Sequence, residues 1–489
     1  VPVPPQPPPA GPPAVPPSGP APLAPGDPAY RRLLIGLFLA GVATFAQLYS
    51  PQGLLPLVSA DLGVGAHRAA LLVSAGTLGL ALSVVPWSMA GDRWGRRRAM
   101  VVSMVSASLF ALAGVLAPTF EAMLGLRLLE GMAHGGVAGL AVALLAEEVA
   151  PRAVATAAGT YIAGTTIGGL SGRLIALPVA EAFTWRTGML AVTVVGVACT
   201  AAFLAVTPQA RRFTPSPTSV ARLVRIVRGH LGSAELVAVY LQAALLMGGF
   251  VALYNFVGYR LLGPPFSWAP TAAGLVFLAY LAGTWSSPRA GRLAARFGRL
   301  PVLTGATAAM AAGAALTLVP HPAVLVGALV LTTGAFFAAH SVASAWSGTA
   351  APHGRAQSTS LYNLAYYAGS SLFGWLGGVF HESHGWTGTV LMVVALALTA
   401  LAIAVVVLRG RGTAPARCAG AVRGAGRRGI RRISRGRLRR RRWPSGAGRA
   451  RPRGPRGPAA RASRPSAGRS RSRCPARRTP PAWSAPRPG

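Results

Sequence analysis

Residues 69–98 read AALLVSAGTLGLALSVVPWSMAGDRWGRRR. The run 69–90 carries no charge, and a helix needs about 20 apolar residues to cross a bilayer. The remainder holds Asp92 and the arginines Arg93, Arg96, Arg97 and Arg98. An uncharged run of membrane length that ends in arginines reads as a transmembrane helix delivered to the cytoplasmic side.

The same pattern extends along the chain. Apolar spans fall at 33–58, 69–90, 99–118, 121–146, 155–178 and 187–207, and again at 234–258, 271–288, 300–319, 323–346, 357–380 and 387–408. Between the two sets of six lies 208–232, with Arg211, Arg212, Arg222, Arg225 and Arg228. Its stretch 219–231 puts Val220, Leu223, Val224 and Val227 on one helical face. That fits either an amphipathic helix on the inner membrane surface or a basic linker. Arginines collect on one side, at 93–98, 152, 208–232, 289–299 and 355, whereas the other side holds few, such as Arg68 and Arg186. The expected orientation is multi-pass, with both termini cytoplasmic.

Composition agrees. Of 489 residues 52% are hydrophobic and 12% charged, against roughly 25% charged in a soluble domain. The net charge of +38 comes from arginine alone, and 26 of the 48 arginines lie from Arg409 onward, where there is no acid. That tail, 409–489, cannot bury a core and is expected to be disordered. It reads either as a weak binder of anionic lipid or nucleic acid or as sequence not under selection, and no nucleic-acid partner is expected of the working protein. Residues 1–29 are Pro-rich, also expected to be disordered, and lack the apolar core of a secretory signal. Cys199, Cys418 and Cys474 have neither metal-ligand nor disulfide spacing.

The halves repeat. Phe45 and Tyr49 match Phe250 and Tyr254, and Tyr161, Gly164, Gly169 and Gly172 match Tyr366, Gly369, Gly374 and Gly377, all 205 apart. Asp92–Arg96 matches Ala295–Arg299, 203 apart. Six spans per half make the repeats parallel, related by an axis along the membrane normal, with a substrate site between them. The domains expected are therefore 1–29, a six-helix half at 30–207, the cytoplasmic linker 208–232, a second half at 233–408 and the tail 409–489.

Several motifs bear a likeness to known sequences. Asp92, Arg93, Gly95, Arg96 and Arg97 resemble the cytoplasmic signature G-x-x-x-D-R-x-G-R-R of the major facilitator superfamily, with Ser88 in place of the leading glycine. In that family the motif is a gate that latches the outward-facing state. The second copy, 291–299, has Ala295 where the acid would be and is expected to serve packing. Arg127-Leu-Leu-Glu-Gly131 is similar to the family's R-x-x-Q-G. Arg127 and Glu130 share a helix face, and an ionisable pair inside a span points to proton coupling or to a static pair. Gly164, Gly168, Gly169 and Gly172 form a small-residue motif that resembles the antiporter sequence G-P-x-x-G-G, with Thr165 for the proline. Small residues at such spacing let helices pack closely. The segments 146–148, 161–174, 336–344, 361–367 and 385–386 resemble the YnfM-like branch, a group described as inner-membrane efflux proteins.

The resemblance implies an all-α, twelve-helix membrane transporter of two pseudo-symmetric halves in a bacterial inner membrane. It implies a monomer that exchanges protons for a small organic molecule and needs no cofactor or metal. Import or uniport by the same fold is the alternative. An enzyme is not expected, because of the ten acids only Glu130 lies clearly within a span and no phosphate-binding loop is present. Polar and aromatic residues of the central helices are the candidate cavity: Gln47, Tyr49, Tyr161, Gln242, Tyr254, Asn255, His340, Tyr362, Asn363 and Tyr366. Each reads as a substrate contact or as a helix–helix hydrogen bond.

Overall fold

A computed structural model describes residues 20–215 and 220–409. The Pro-rich residues 1–19 and the tail from 410 lie outside the described residues. The helices run α1 (Pro28–Tyr49), the short α2 (Leu55–Leu62), α3 (Ala66–Trp94), α4 (Arg96–Val115), α5 (Phe120–Glu148), α6 (Val154–Ala182) and α7 (Trp185–Val206). After the linker helix α8 (Val220–Leu231) come α9 (Ala234–Leu262), the short α10 (Pro270–Gly274), a 3-10 turn Leu275–Ala279, and α11 (Tyr280–Phe297). Then follow α12 (Arg299–Leu316), α13 (Pro322–Ala350) and α14 (Arg355–Leu408).

Among the described residues ten helices are long and apolar enough to span a membrane. One of them, α14, has 54 residues. As a straight rod it would be about 80 Å long, well over the hydrocarbon thickness of roughly 30 Å. It is not straight. Gly385 leaves helical geometry at φ 60°, ψ −152°, and Thr389 Oγ1 donates to Gly377 O at 3.4 Å. Residues twelve apart on one helix could not touch, so α14 is two passes folded back at Gly385. The segment Pro270–Phe297, whose end carries Arg289, Arg292 and Arg296, supplies another pass. Twelve passes result, as the apolar spans predict.

Local chemistry sets the helix ends. Asp27 caps α1 by accepting from the Ala29 N–H at 2.8 Å, with Pro28 at the first helical position. Thr119, Thr184 and Ser233 cap α5, α7 and α9 in the same way. Gly95 between α3 and α4 and Gly298 between α11 and α12 have φ of 91° and 93°, conformations that a side chain disfavours. Equivalent turns of the two halves thus use the same backbone device.

Helix pairs approach closely where glycine allows. A Cβ on Gly164, Gly168 or Gly172 would lie 2.3, 2.5 or 2.4 Å from the Phe38, Val42 or Ala46 carbonyl oxygen of α1. In the second half a Cβ on Gly369 would lie 2.1 Å from Ala244 O of α9. The pair α1/α6 therefore recurs as α9/α14. Gly169 stands apart from the stripe, with only the Arg173 guanidinium near it.

One boundary differs from the sequence reading. The N-terminal segment is ordered before residue 29. Leu23 is buried and pairs with the strand-like end of α5, donating to Glu148 O at 2.8 Å and accepting from the Ala150 N–H at 2.9 Å. The linker does form a helix, but it docks through Ile226, against Gly354, and through buried His230, whose ring nitrogen lies 2.9 Å from His353 O. Val224, assigned above to the apolar face, is exposed.

The halves are joined at the arginine-poor end. Gln52 Nε2 donates to Asn255 Oδ1 at 2.8 Å, and Tyr259 Oη donates to Leu55 O at 3.0 Å. His67 Nδ1 meets Glu382 at 2.6 Å, Ser371 Oγ donates to Ser74 O at 2.8 Å, and the Thr271 N–H donates to Glu181 at 2.8 Å.

Gly168→Leu forces a side chain into the α1 backbone. We expect it to cost about 3 kcal/mol, seen as a lower melting temperature in detergent. Gly327→Ala, on α13 with nothing within 4 Å of the new Cβ, should leave stability within about 1 kcal/mol.

Candidate functional site

The arginine-rich end is organised by the turn at Gly95. Arg96, at the start of α4, donates to Asp92 Oδ1 at 3.3 Å and to Glu147 Oε2 of α5 at 2.6 Å. Arg97 reaches across to α7, whose last carbonyls lack helical partners, and donates to Thr207 O at 3.2 Å and Leu204 O at 3.4 Å. Arg93 is exposed beside a pocket of about 550 Å³ that includes Gln209 and Phe213. Glu148 is buried and accepts the backbone N–H groups of Arg211 and Arg212, each at 2.9 Å. The second copy does not pack as expected: Gly291 has open space around it and Ala295 is exposed. What it shares with the first is the positive-φ turn at Gly298.

A second cluster is buried in the first half. Arg127 and Glu130, one turn apart on α5, are each 1% exposed, and Arg127 Nη1 donates to Glu130 Oε2 at 2.7 Å. Three other guanidinium protons go to backbone: Leu72 O at 3.1 Å, Gln47 O at 3.2 Å and Leu48 O at 2.6 Å. Two of those carbonyls belong to the last turn of α1, where the dipole is negative. Arg127 thus caps α1 from α5. Glu130 Oε1 faces buried His134, 3.5 Å from Nε2, and neither atom has a hydrogen bond of good geometry. Sequence reasoning missed His134, although its i+4 spacing from Glu130 marks it.

The third cluster lies in the seam between the halves and centres on Arg173 of α6, 1% exposed. Its Nε and Nη2 donate to Gln52 Oε1, its Nη1 to Gly169 O, and its Nη2 also to Tyr280 Oη at 3.3 Å. Aromatic faces surround it: the guanidinium carbon is 4.7 Å from the Tyr49 ring centre, 5.0 Å from Phe277 and 4.8 Å from Tyr280. The expected residues Tyr49, Tyr254 and Asn255 are brought to this seam. Tyr254 stacks on Phe277 and its hydroxyl meets Thr333 Oγ1 at 2.7 Å. His340, Tyr362 and Tyr366 form an adjoining aromatic group, with Tyr362 Oη 3.0 Å from His340 Nδ1 and the His340 and Tyr366 rings 4.8 Å apart. Phe250 and Phe336, stacked at 4.1 Å, link the two groups.

Gln47 and Gln242 lie within the halves rather than at the seam. Gln47 points at Gly196 of α7, where a Cβ would lie 2.1 Å from its Nε2. Gln242 Nε2 donates to Ala400 O at 2.7 Å within the second half. Gln242 thus serves helix–helix bonding rather than the cavity, and Gln47 packs against α7, its Nε2 without a hydrogen-bond partner among the described residues. Tyr161 is buried in an apolar cluster of the first half, and Asn363 is partly buried on α14. Arg173 is marked in the sequence as an arginine inside the apolar run 155–178, where a charge is costly.

The sequence model described as Major Facilitator Superfamily matches residues 33–263 and 239–450. The inner membrane transport protein YnfM of Escherichia coli (strain K12) is 37% identical over 376 residues, 76% of this chain and 90% of its own length. The MFS-type transporter YybF of Bacillus subtilis (strain 168) is 35% identical over 368 residues, 75% of this chain and 91% of its own. The crystal structure of the nucleoside transporter NupG superposes with a TM-score of 0.65 at 15% identity, covering 76% of this chain and 98% of that one. These relatives are transporters, not enzymes.

Removing one member of a buried ion pair strands the other. We expect Glu130→Leu to destabilise the protein by about 3–5 kcal/mol, and Arg127→Met added to it to recover part of that loss. Denaturant unfolding of the two single variants and the double variant in micelles measures the coupling. Additive losses would show that the pair does not act as a unit.

Proposed function

The chain belongs to the major facilitator superfamily, and from that premise we propose that it is a proton-coupled exporter of a small organic molecule, working by alternating access as a monomer in a bacterial inner membrane. The carrying observation is the buried Arg127–Glu130–His134 cluster, which puts a carboxylate and an imidazole side by side within one pass. Glu130 Oε1 and His134 Nε2 offer a proton a place between two basic atoms, and Arg127 ties that place to the end of α1. A change in protonation would alter what Arg127 grips, and so the attachment of α1 beside the seam.

The orientation of the arginines supports cytoplasmic termini. On that reading the bonds joining the halves lie on the outer side and the described state faces inward. The Asp92–Arg96–Glu147 network at the arginine-rich end would then be the gate element that changes partners when the cytoplasmic side closes. Gradient-driven rocking of one half against the other requires no nucleotide or metal.

Import by the same fold is the second reading, and one observation favours it. Thr165 stands where the antiporter motif has proline, and its hydroxyl donates to Ile162 O at 2.8 Å, leaving α6 continuous at that point. Flux in proteoliposomes decides between them. For export, acid on the arginine-poor side should drive substrate toward that side. Glu130→Gln should reduce this gradient-driven flux at least about tenfold, the scale of a lost transfer step worth 1.4 kcal/mol or more, while exchange without a gradient persists. Flux that ignores the gradient in wild type and is unchanged in Glu130→Gln would exclude proton coupling.

A further inference from the structure

Building on the transporter reading, we infer that the substrate is an organic anion, and that its carboxylate or phosphate group is received by Arg173. A guanidinium stays charged under all physiological conditions, and Arg173 is buried in a membrane-spanning helix. Such a charge is expensive unless an anion accompanies it. The chain has ten acids, all of them among the described residues, and each has a partner other than Arg173. Glu130 pairs with Arg127, while Asp92 and Glu147 meet Arg96. Glu121 pairs with Arg68 and Glu382 with His67. Asp27, Glu148 and Glu181 take backbone N–H groups, and Asp61 and Glu235 take the indoles of Trp185 and Trp346. What surrounds Arg173 is neutral: one amide oxygen, one carbonyl, one phenol and three aromatic faces.

The geometry says more than the charge. Gln52 Oε1 takes both Nε and Nη2, the edge of the guanidinium that a carboxylate or phosphate grips with two parallel bonds. Gln52 therefore holds the place of an anion. Its other end, Nε2, donates to Asn255 and is one of the bonds joining the halves. An anion that displaces Gln52 from Arg173 leaves the amide free to turn, and so loosens that joint. The same displacement that recognises the substrate would release the closed end, which is the coupling an alternating-access transporter requires.

Arg127 is the internal contrast. It is equally buried, but its charge is met by Glu130, and its remaining donors brace backbone. Arg173 lacks such a counter-ion, so replacing it should cost the fold little and cost recognition a great deal.

The test uses the full chain in detergent and in liposomes. Thermal unfolding is followed with benzoate, succinate and glucose 6-phosphate as anions, benzamide and glucose as neutral solutes, and benzylammonium as a cation. We expect at least one anion to raise the melting temperature of the wild type by several degrees. Arg173→Gln should melt no lower than wild type and show no anion shift. The inference is overturned if no anion shifts the wild type, if a shift survives in Arg173→Gln, or if Arg173→Gln alone melts well below wild type, which would mark the arginine as a brace. Counterflow of a neutral or cationic solute that is intact in Arg173→Gln would also sink it, and would leave the transporter reading standing. Anion stabilisation without counterflow of any panel member would do the reverse.

Discussion

The hydrocarbon of a bilayer offers no hydrogen bonds, so a polar group carried into it must find its partners within the protein. Arg127 shows how far that demand organises this fold. Five donors enter the membrane on one side chain, and four of them are met by one carboxylate and three carbonyls drawn from α1, α3 and α5. Gathering those acceptors fixes where α1 ends. The chain after α1 then falls at the seam, where Gln52 meets Arg173 on one side and Asn255 on the other. A requirement of solvation thus becomes a requirement of position, carried from the interior of one half to the joint between the two.

Between the helices themselves, lipid removes the hydrophobic drive to associate and leaves packing to do the work. Glycine supplies it here. The stripe Gly164, Gly168 and Gly172 lets α6 lie against the α1 backbone, and Gly369 does the same for α14 and α9. These contacts make each half a firm body. The joint between the halves combines close packing of α3 on α14, where a Cβ on Gly378 would lie 2.4 Å from His67 Cα, with bonds at Gln52, His67, Ser74, Glu181 and Tyr259. Halves that are each held firmly by backbone-level packing can move as bodies, which a rocking motion needs.

The site was legible in part. Tyr49, Tyr254 and Asn255 come to the seam as their places on the central helices suggest. Gln47 has the same kind of sequence environment as Tyr49, yet its side chain serves α7, because two residues along a helix is a rotation of about 200°. His134 and Arg173 could have been found by asking of every ionisable residue in a span what it pairs with. The partners of Arg173 could not, since Gln52 and Tyr280 are separated from it by more than a hundred residues.

By itself the sequence determined the lipid-solvated class of the fold, the apolar passes, the arginine-rich face and the repeat. Each of these is a property of composition and spacing along one dimension, and lipid enforces it without reference to any other part of the chain. Only the tertiary structure decided that 355–408 folds back at Gly385, that Ile226 and His230 dock the linker helix, and that ten acids leave Arg173 without a counter-ion. Those outcomes depend on which side chain reaches which acceptor first when helices distant in sequence are brought together, and competition of that kind is settled in three dimensions.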